Sequence, residues 1–279
     1  LLWLQRFLAN GRWPLADLHS VVCVKVVPKP EEIRVDPKTN MLVRSGTRSE
    51  INPPDMNAME MALKLKDRYG GRISLLAMGP PLFETNLRVA LAMGADHIFL
   101  LSDPAFAGAD TLATTYTLAQ GIQKIGDVDL VLCGEESSDG ATGQVPPGIA
   151  EWLNASQLTL LTELDIDLDS RTAGGRRESK GGYELLEVHL PCVISVKTAC
   201  NEPRFMDFSQ RAWALEEKQL TVWNADDLGA DPELIGLAGS PTVVTGLAEA
   251  PYRERRREFL EGTVQSIAEQ LAGILQKAA

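Results

Sequence analysis

Short apolar runs recur along the first half of this 279-residue chain, each closed by a breaker or turn and followed by a stretch of helical period. The runs are Val21–Val27, Ile73–Met78, His97–Leu101 and Val128–Cys133; Pro28-Lys29-Pro30 ends the first and Gly79-Pro80-Pro81 the second. Between them the pattern predicts helices over 56–68, entered through Pro53-Pro54, over 84–93 with Gly94 as its stop, and over 111–125, capped by Asp110 or Thr111. Apolar β-branched runs read as strands buried on both faces. Strand–helix alternation of this kind builds right-handed βαβ units, so the expected fold is α/β, a mostly parallel sheet with flanking helices. Ligands of such sheets sit beyond the carboxyl ends of the strands, which brings the turns after all of these strands to one crevice.

The pattern changes after residue 157. Leu158 to Leu168 and Tyr183 to Leu190 read as antiparallel strands around a polar turn, 169–182, and 191–196 returns to a buried strand. Residues 205–215 read as irregular or helical, 227–255 as an extended arm rich in Gly and Pro, and 258–277 as holding a last helix with Ile267, Leu271, Ile274 and Leu275 on one stripe. The expected division is a 1–19 extension or start-site artefact (with an added interface helix as the alternative), a 20–226 domain, and a 227–279 arm with its helix. A net charge of −11 argues against a nucleic-acid or anionic-membrane partner. The first segment is too short to span a bilayer. The four cysteines lack any CxxC pair, and three lie in strand-like runs, which points to buried free thiols in a reducing, cytoplasmic setting. His19, His97 and His189 stand in unrelated contexts, no catalytic constellation is evident, and reaction chemistry would have to come from a cofactor.

Two turns carry the candidate site. Cys133-Gly134 leads into Glu135-Glu136-Ser137-Ser138-Asp139-Gly140-Ala141-Thr142-Gly143-Gln144-Val145, a glycine- and hydroxyl-rich loop that enters a helix at about 148. Free amides and the positive end of the helix dipole make such a junction a phosphate cradle; a plain surface turn is the alternative. Gly108-Ala109-Asp110-Thr111-Leu112-Ala113-Thr114 opens the third helix, with Thr111 and Thr114 on one face of its first turn. An ordinary helix cap explains this segment alone; the two turns together favour a nucleotide diphosphate. Neither GxxxxGK[ST] nor a first-turn GxGxxG is present.

Several motifs in order resemble the β subunit of electron-transfer flavoproteins: Val22-Cys23-Val24-Lys25, Asn52-Pro53-Pro54-Asp55, 90–96, 108–114, Asp139-Gly140-x-Thr142-x-Gln144-Val145, Asn201-Glu202-Pro203-Arg204 and 239–244. The resemblance runs from about Val21 to the C-terminus. It implies a Rossmann-like domain in a heterodimer with an FAD-carrying α subunit. The β-subunit site would hold FAD in the electron-bifurcating group, which the 108–114 turn and Asp55 resemble, or AMP, a structural ligand, in ordinary members. A stand-alone nucleotide-binding module is a further alternative. By position the resemblance implies cofactor contacts at Cys23, Asn52, Asp55, Met78, Gly134, Asp139, Gly140, Ala141, Thr142, Gly143, Gln144 and Val145, with Asp110, Thr111 and Thr114 added for FAD. It implies NADH as electron donor, ferredoxin or flavodoxin as low-potential acceptor, and a flavin-dependent dehydrogenase as second partner. Partner recognition would fall on Asn201, Glu202, Pro203, Arg204 and Phe208. The chain departs from the family's pattern at Ala141, at Pro146-Pro147 and at Glu135–Ser138, where an acidic residue and a different charge pattern stand near the ligand.

Overall fold

The computed structural model describes residues 18–29, 48–216, 219–243, 245 and 259–278. The expected N-terminal segment up to residue 17, and residues 244 and 246–258 of the expected arm, lie outside the described residues. In chain order the strands are β1 (His19–Cys23), β2 (Val26–Pro28), β3 (Ser49–Ile51), β4 (Arg72–Met78), β5 (His97–Leu101), β6 (Leu130–Gly134), β7 (Ser156–Asp167), β8 (Thr172–Ser179), β9 (Gly182–His189), β10 (Cys192–Val196) and β11 (Leu220–Trp223). The helices are α1 (Pro53–Tyr69), α2 (Glu84–Leu91), α3 (Thr111–Ile125), α4 (Val145–Leu153), α5 (Arg211–Ala214), α6 (Ala225–Leu228) and α7 (Val264–Ala278).

A nine-stranded sheet runs in the order β11-β5-β4-β1-β6-β10-β7-β8-β9. The pairings from β11 through β7 are parallel, while β7–β8 and β8–β9 are antiparallel. Alternation along each strand sorts its side chains to two faces. Val22, Leu75, Leu130, Leu132 and Ile194 join one buried cluster with α1 and α2. Val21, Cys23, Leu76, Val131, Cys133 and Val193 join a second with Tyr116 and Ile122 of α3 and Ile149 of α4. The expected α/β architecture, mostly parallel with an antiparallel addition, is what forms. No helix among the described residues is long and apolar enough to cross a membrane.

Three details differ from the sequence reading. The run 21–27 is two strands: Lys25 N–H donates to the Asp55 carboxylate (2.7 Å) instead of continuing the ladder, and Val26–Pro28 pairs antiparallel with β3. The polar stretch 169–182 is not one turn, because it contains β8, which pairs with β7 on one side and β9 on the other. Its sequence, TAGGRRES, has little intrinsic strand preference, so its neighbours impose the conformation. Finally, β11 adds an edge beside β5, in register Leu220↔Ile98.

The order reverses between β1 and β6: the chain runs from β1 outward through β4 and β5, then returns to β6 on the other side of β1. Here α1 presses its N-terminus onto the end of β6. A Cβ on Gly134 would stand 2.5 Å from Asp55 Oδ1 and 2.7 Å from Pro54 Cβ. Gly134→Ala should therefore cost about 1–3 kcal/mol through overpacking, read as a lower urea midpoint. An unchanged midpoint would contradict this close approach.

Candidate functional site

The crevice forms at this reversal, and one side chain closes its floor. Asp55, in the first turn of α1, is buried; Oδ2 accepts from Lys25 N (2.7 Å) and Oδ1 from Gly134 N (3.3 Å). It thus ties the exits of β1 and β6 together. Burial pushes its carboxyl up to about 7, against the opposing pull of the bonds from Lys25, Asn52 and Gly134. Asn52, fully buried, donates from Nδ2 to Glu136 O (2.9 Å) and accepts at Oδ1 from Ser138 N (3.0 Å). The two residues shape the loop from beneath.

That loop crosses the top of the crevice. Gly140 N–H and Ala141 N–H both donate to Ser137 O (3.2 and 2.7 Å), closing a turn. Ala141 (φ 49) and Gly143 (φ 63) are left-handed, a conformation that costs a non-glycine residue about 1–2 kcal/mol. Left-handed residues in alternation turn successive amides to one side, the geometry of an anion nest. Among the described residues nothing accepts from the N–H groups of Thr142, Gly143, Gln144 or Val145. Pro146 and Pro147 have no N–H to offer, so the donors at the start of α4 come from these residues that precede them. This run of free amides fits a phosphate group.

The second turn meets the first directly: Thr111 Oγ1 donates to Gln144 Oε1 at 3.0 Å. Thr114 lies half-buried one turn along α3. Asp110 is the N-cap, and Oδ1 accepts from Leu112 N (2.9 Å) and Ala113 N (3.1 Å). Its Oδ2 accepts from Thr242 N (3.0 Å) and Thr242 Oγ1 (2.7 Å), and Ser240 Oγ accepts from Asp110 N (2.8 Å). Burial opposes ionisation, yet these bonds hold Asp110 below the usual carboxylate range. Ser240 and Thr242 of the expected arm therefore lie on the α3 entry, and the N–H groups of Leu112 and Ala113 in the first turn of α3 are taken by Asp110 itself.

Remaining site residues surround this rim. Lys25 Nζ donates to Asp139 Oδ1 (2.6 Å) and Ser137 Oγ (3.3 Å). Burial works against ionisation of Asp139, but Lys25 holds it below the ordinary range. Cys23 ends β1, and its buried thiol pushes that of Cys133 up through their mutual hydrogen bond. Met78 ends β4, half-buried. Among the described residues no group of His, Cys, Asp and Glu could hold a metal ion.

The expected partner segment hangs from α1. Asn57 Nδ2 donates to Asn201 O (2.8 Å) and Thr198 O (3.2 Å), and Asn201 Nδ2 donates to Asn57 O (3.1 Å). Arg204 grips buried Glu60 through Nε (2.9 Å), Nη2 (3.1 Å) and its main-chain N–H (3.0 Å), and reaches Asp67 at 2.8 Å. The hydrogen bonds it donates to Glu60 and then to Asp67 keep the guanidinium firmly charged. Glu202 and Pro203 face solvent. Phe208 is 77% exposed, and Phe205 even more so at 96%. Sequence reasoning singled out Phe208 but not Phe205, Lys25, Asn57 or Glu60. The last two carried a signal, since they are the polar positions within the otherwise apolar run 56–63.

A mostly parallel sheet with an amide-lined turn over its strand-order reversal is the place where open α/β sheets take their ligands. Residues 39–228 match the electron transfer flavoprotein domain. The chain is 44% identical to the protein FixA of Azotobacter vinelandii over 249 residues, 88% of each chain. It is 41% identical to the caffeyl-CoA reductase-Etf complex subunit CarD of Acetobacterium woodii over 261 residues, 93% of this chain and 98% of that one. It is 44% identical to the electron transfer flavoprotein subunit beta of Clostridium acetobutylicum over 227 residues, 81% and 86% of the two chains. The chain belongs to the electron transfer flavoprotein family and is of the β-subunit type.

Asp55 gives the site a pH signature. A folded-state pKa of about 7 lies above that of an unfolded aspartate, so the folded protein binds the extra proton between the two values. Its contribution is fully present below about pH 4 and is lost as pH rises through about 7. The stability difference between wild type and Asp55→Asn, from denaturant titrations at several pH values, should fall across that window and level off above it. A flat difference would contradict the assignment.

Proposed function

We propose that this chain is the β subunit of a heterodimeric electron-transfer flavoprotein of the bifurcating type, holding FAD in the crevice over the ends of β1 and β6. The observation that carries the reading is the 3.0 Å contact between Thr111 and Gln144, which joins the α3 entry to the free amides of residues 142–145 in one rim. Two adjoining donor sets suit a diphosphate better than a single phosphate. FAD, when bound, would supply the redox chemistry, taking a hydride from NADH and releasing electrons singly, one to ferredoxin or flavodoxin and one to the α-subunit FAD and a dehydrogenase.

The chain's own residues would bind and orient. The amides of Thr142, Gly143, Gln144 and Val145 and the hydroxyls of Thr111, Thr114 and Thr142 would hold the phosphates. Asp55, Asn52 and Gly134 would fix the floor, and Lys25 would hold Asp139 and the loop in place. The 227–279 segment with α7, whose Leu271, Ile274 and Leu275 are exposed, would pack on the α subunit. The 201–208 segment would dock electron-transfer partners through Phe208 and the neighbouring Phe205, anchored by Asn201 and Arg204.

One observation favours a second reading, AMP as a structural ligand. Asp110 occupies the N–H groups of Leu112 and Ala113, which leaves α3 mainly threonine hydroxyls for a second phosphate. Counting nucleotides released from the purified heterodimer separates the two. The proposal expects about two FAD; one FAD with one AMP would overturn it. Thr111→Ala with Thr114→Ala should loosen the β-site FAD and spare the α-site flavin. Equal loss of both, or of neither, would contradict the assigned rim.

A further inference from the structure

Two unlike attachments hold the segment that begins at Thr198. One is set in the protein interior: Asn57 and Glu60 of α1, both buried, take Asn201, Arg204 and the carbonyl of Thr198. The other comes from the crevice loop itself. Glu135 directly follows Gly134, and its Oε1 accepts from both Thr198 N and Thr198 Oγ1 at 3.1 Å. This contact is exposed, so its partners can separate into water at little cost, unlike the buried pair. Thr198 opens the short turn 198–200, and the exposed Phe205 and Phe208 follow within ten residues. Glu135 therefore joins the loop bearing the free amides of 142–145 to the segment that presents two exposed aromatic rings.

We propose that Glu135 is a positioning residue, through which a phosphate ligand in the crevice orders the 198–208 segment. The inference rests on the crevice holding a nucleotide. Ligand phosphates drawn onto the amides of 142–145 fix the loop that starts at Glu135. Its carboxylate then fixes the N–H and hydroxyl of Thr198, adding to the hold of Asn57 on the Thr198 carbonyl, and Phe205 and Phe208 are held in one presentation. The coupling free energy comes from ordering shared by the two segments and requires no large displacement.

Hydrogen exchange on the full chain tests this, following peptides that cover 198–208 with 53–69 as an internal reference. Without ligand, Glu135→Ala should speed exchange of 198–208 about five-fold or more and leave 53–69 unchanged. Glu135→Gln, whose amide oxygen can accept the same two bonds, should behave as wild type. Saturating FAD or AMP, with binding measured separately by equilibrium dialysis, should slow 198–208 in wild type and Glu135→Gln but not in Glu135→Ala. An alanine variant that matches wild type in either arm would overturn the proposal, as would bound nucleotide that leaves 198–208 of the wild type unchanged. Failure of both nucleotides to bind would instead overturn the functional reading and the ligand coupling with it, while the ligand-free arm still decides whether Glu135 positions Thr198.

Discussion

The carboxylate of Asp55 stands where β1 and β6 part, and the rest of the site is arranged around it. A parallel sheet whose order reverses must leave a split between the two strand exits. Here that split exposes main-chain donors at Lys25 and Gly134, and Asp55 takes both. Leaving the buried Gly134 donor without an acceptor would cost about 1–3 kcal/mol. The same contact sets the depth of α1, forbids a side chain at residue 134, and turns the chain after Cys23 out of the sheet toward β2. A buried carboxyl is the cost of the arrangement, visible in a proton affinity raised to about 7.

From that anchor the polar residues of α1 work in two directions. Asn52 and Asp55 shape the crevice loop, while Asn57 and Glu60 hold the segment with Phe205 and Phe208. A chain with a net charge of −11 gives this site few cations, and Lys25 is engaged with Asp139. In the proposed reading the anion is held instead by neutral main-chain amides, beside left-handed residues at 141 and 143. A site of that kind would accept a phosphate without adding fixed positive charge beside the proposed flavin.

Much of this was legible in the sequence. The strands 73–78, 97–101 and 128–133 and the helix 111–125 were read from β-branched runs, glycine stops and an aspartate cap, because local preference and burial agree there. The β8 strand was not, since Gly174, Gly175, Arg176 and Arg177 favour no strand until both neighbours pair with them. The break at Lys25 was invisible because it depends on Asp55, thirty residues on. Site residues were legible as types but not as roles. Asp110 reads equally as a cap or as a ligand contact, and only its four bonds, two of them to Thr242, show that its oxygens are taken. Glu135 stood out as a departure in charge, but its acceptor role toward Thr198 needs the distant strand β10 to bring the two together.

Everything proposed for the crevice turns on whether the amides of residues 142–145 hold the phosphates. Main-chain ¹⁵N–¹H resonances of the full chain, followed during titration with FAD, test it most directly. Thr142, Gly143, Gln144 and Val145 should shift most, with Thr111 beside them, while the amides of β8 and β9 should hardly move. Binding of FAD that leaves these four amides unshifted would contradict it.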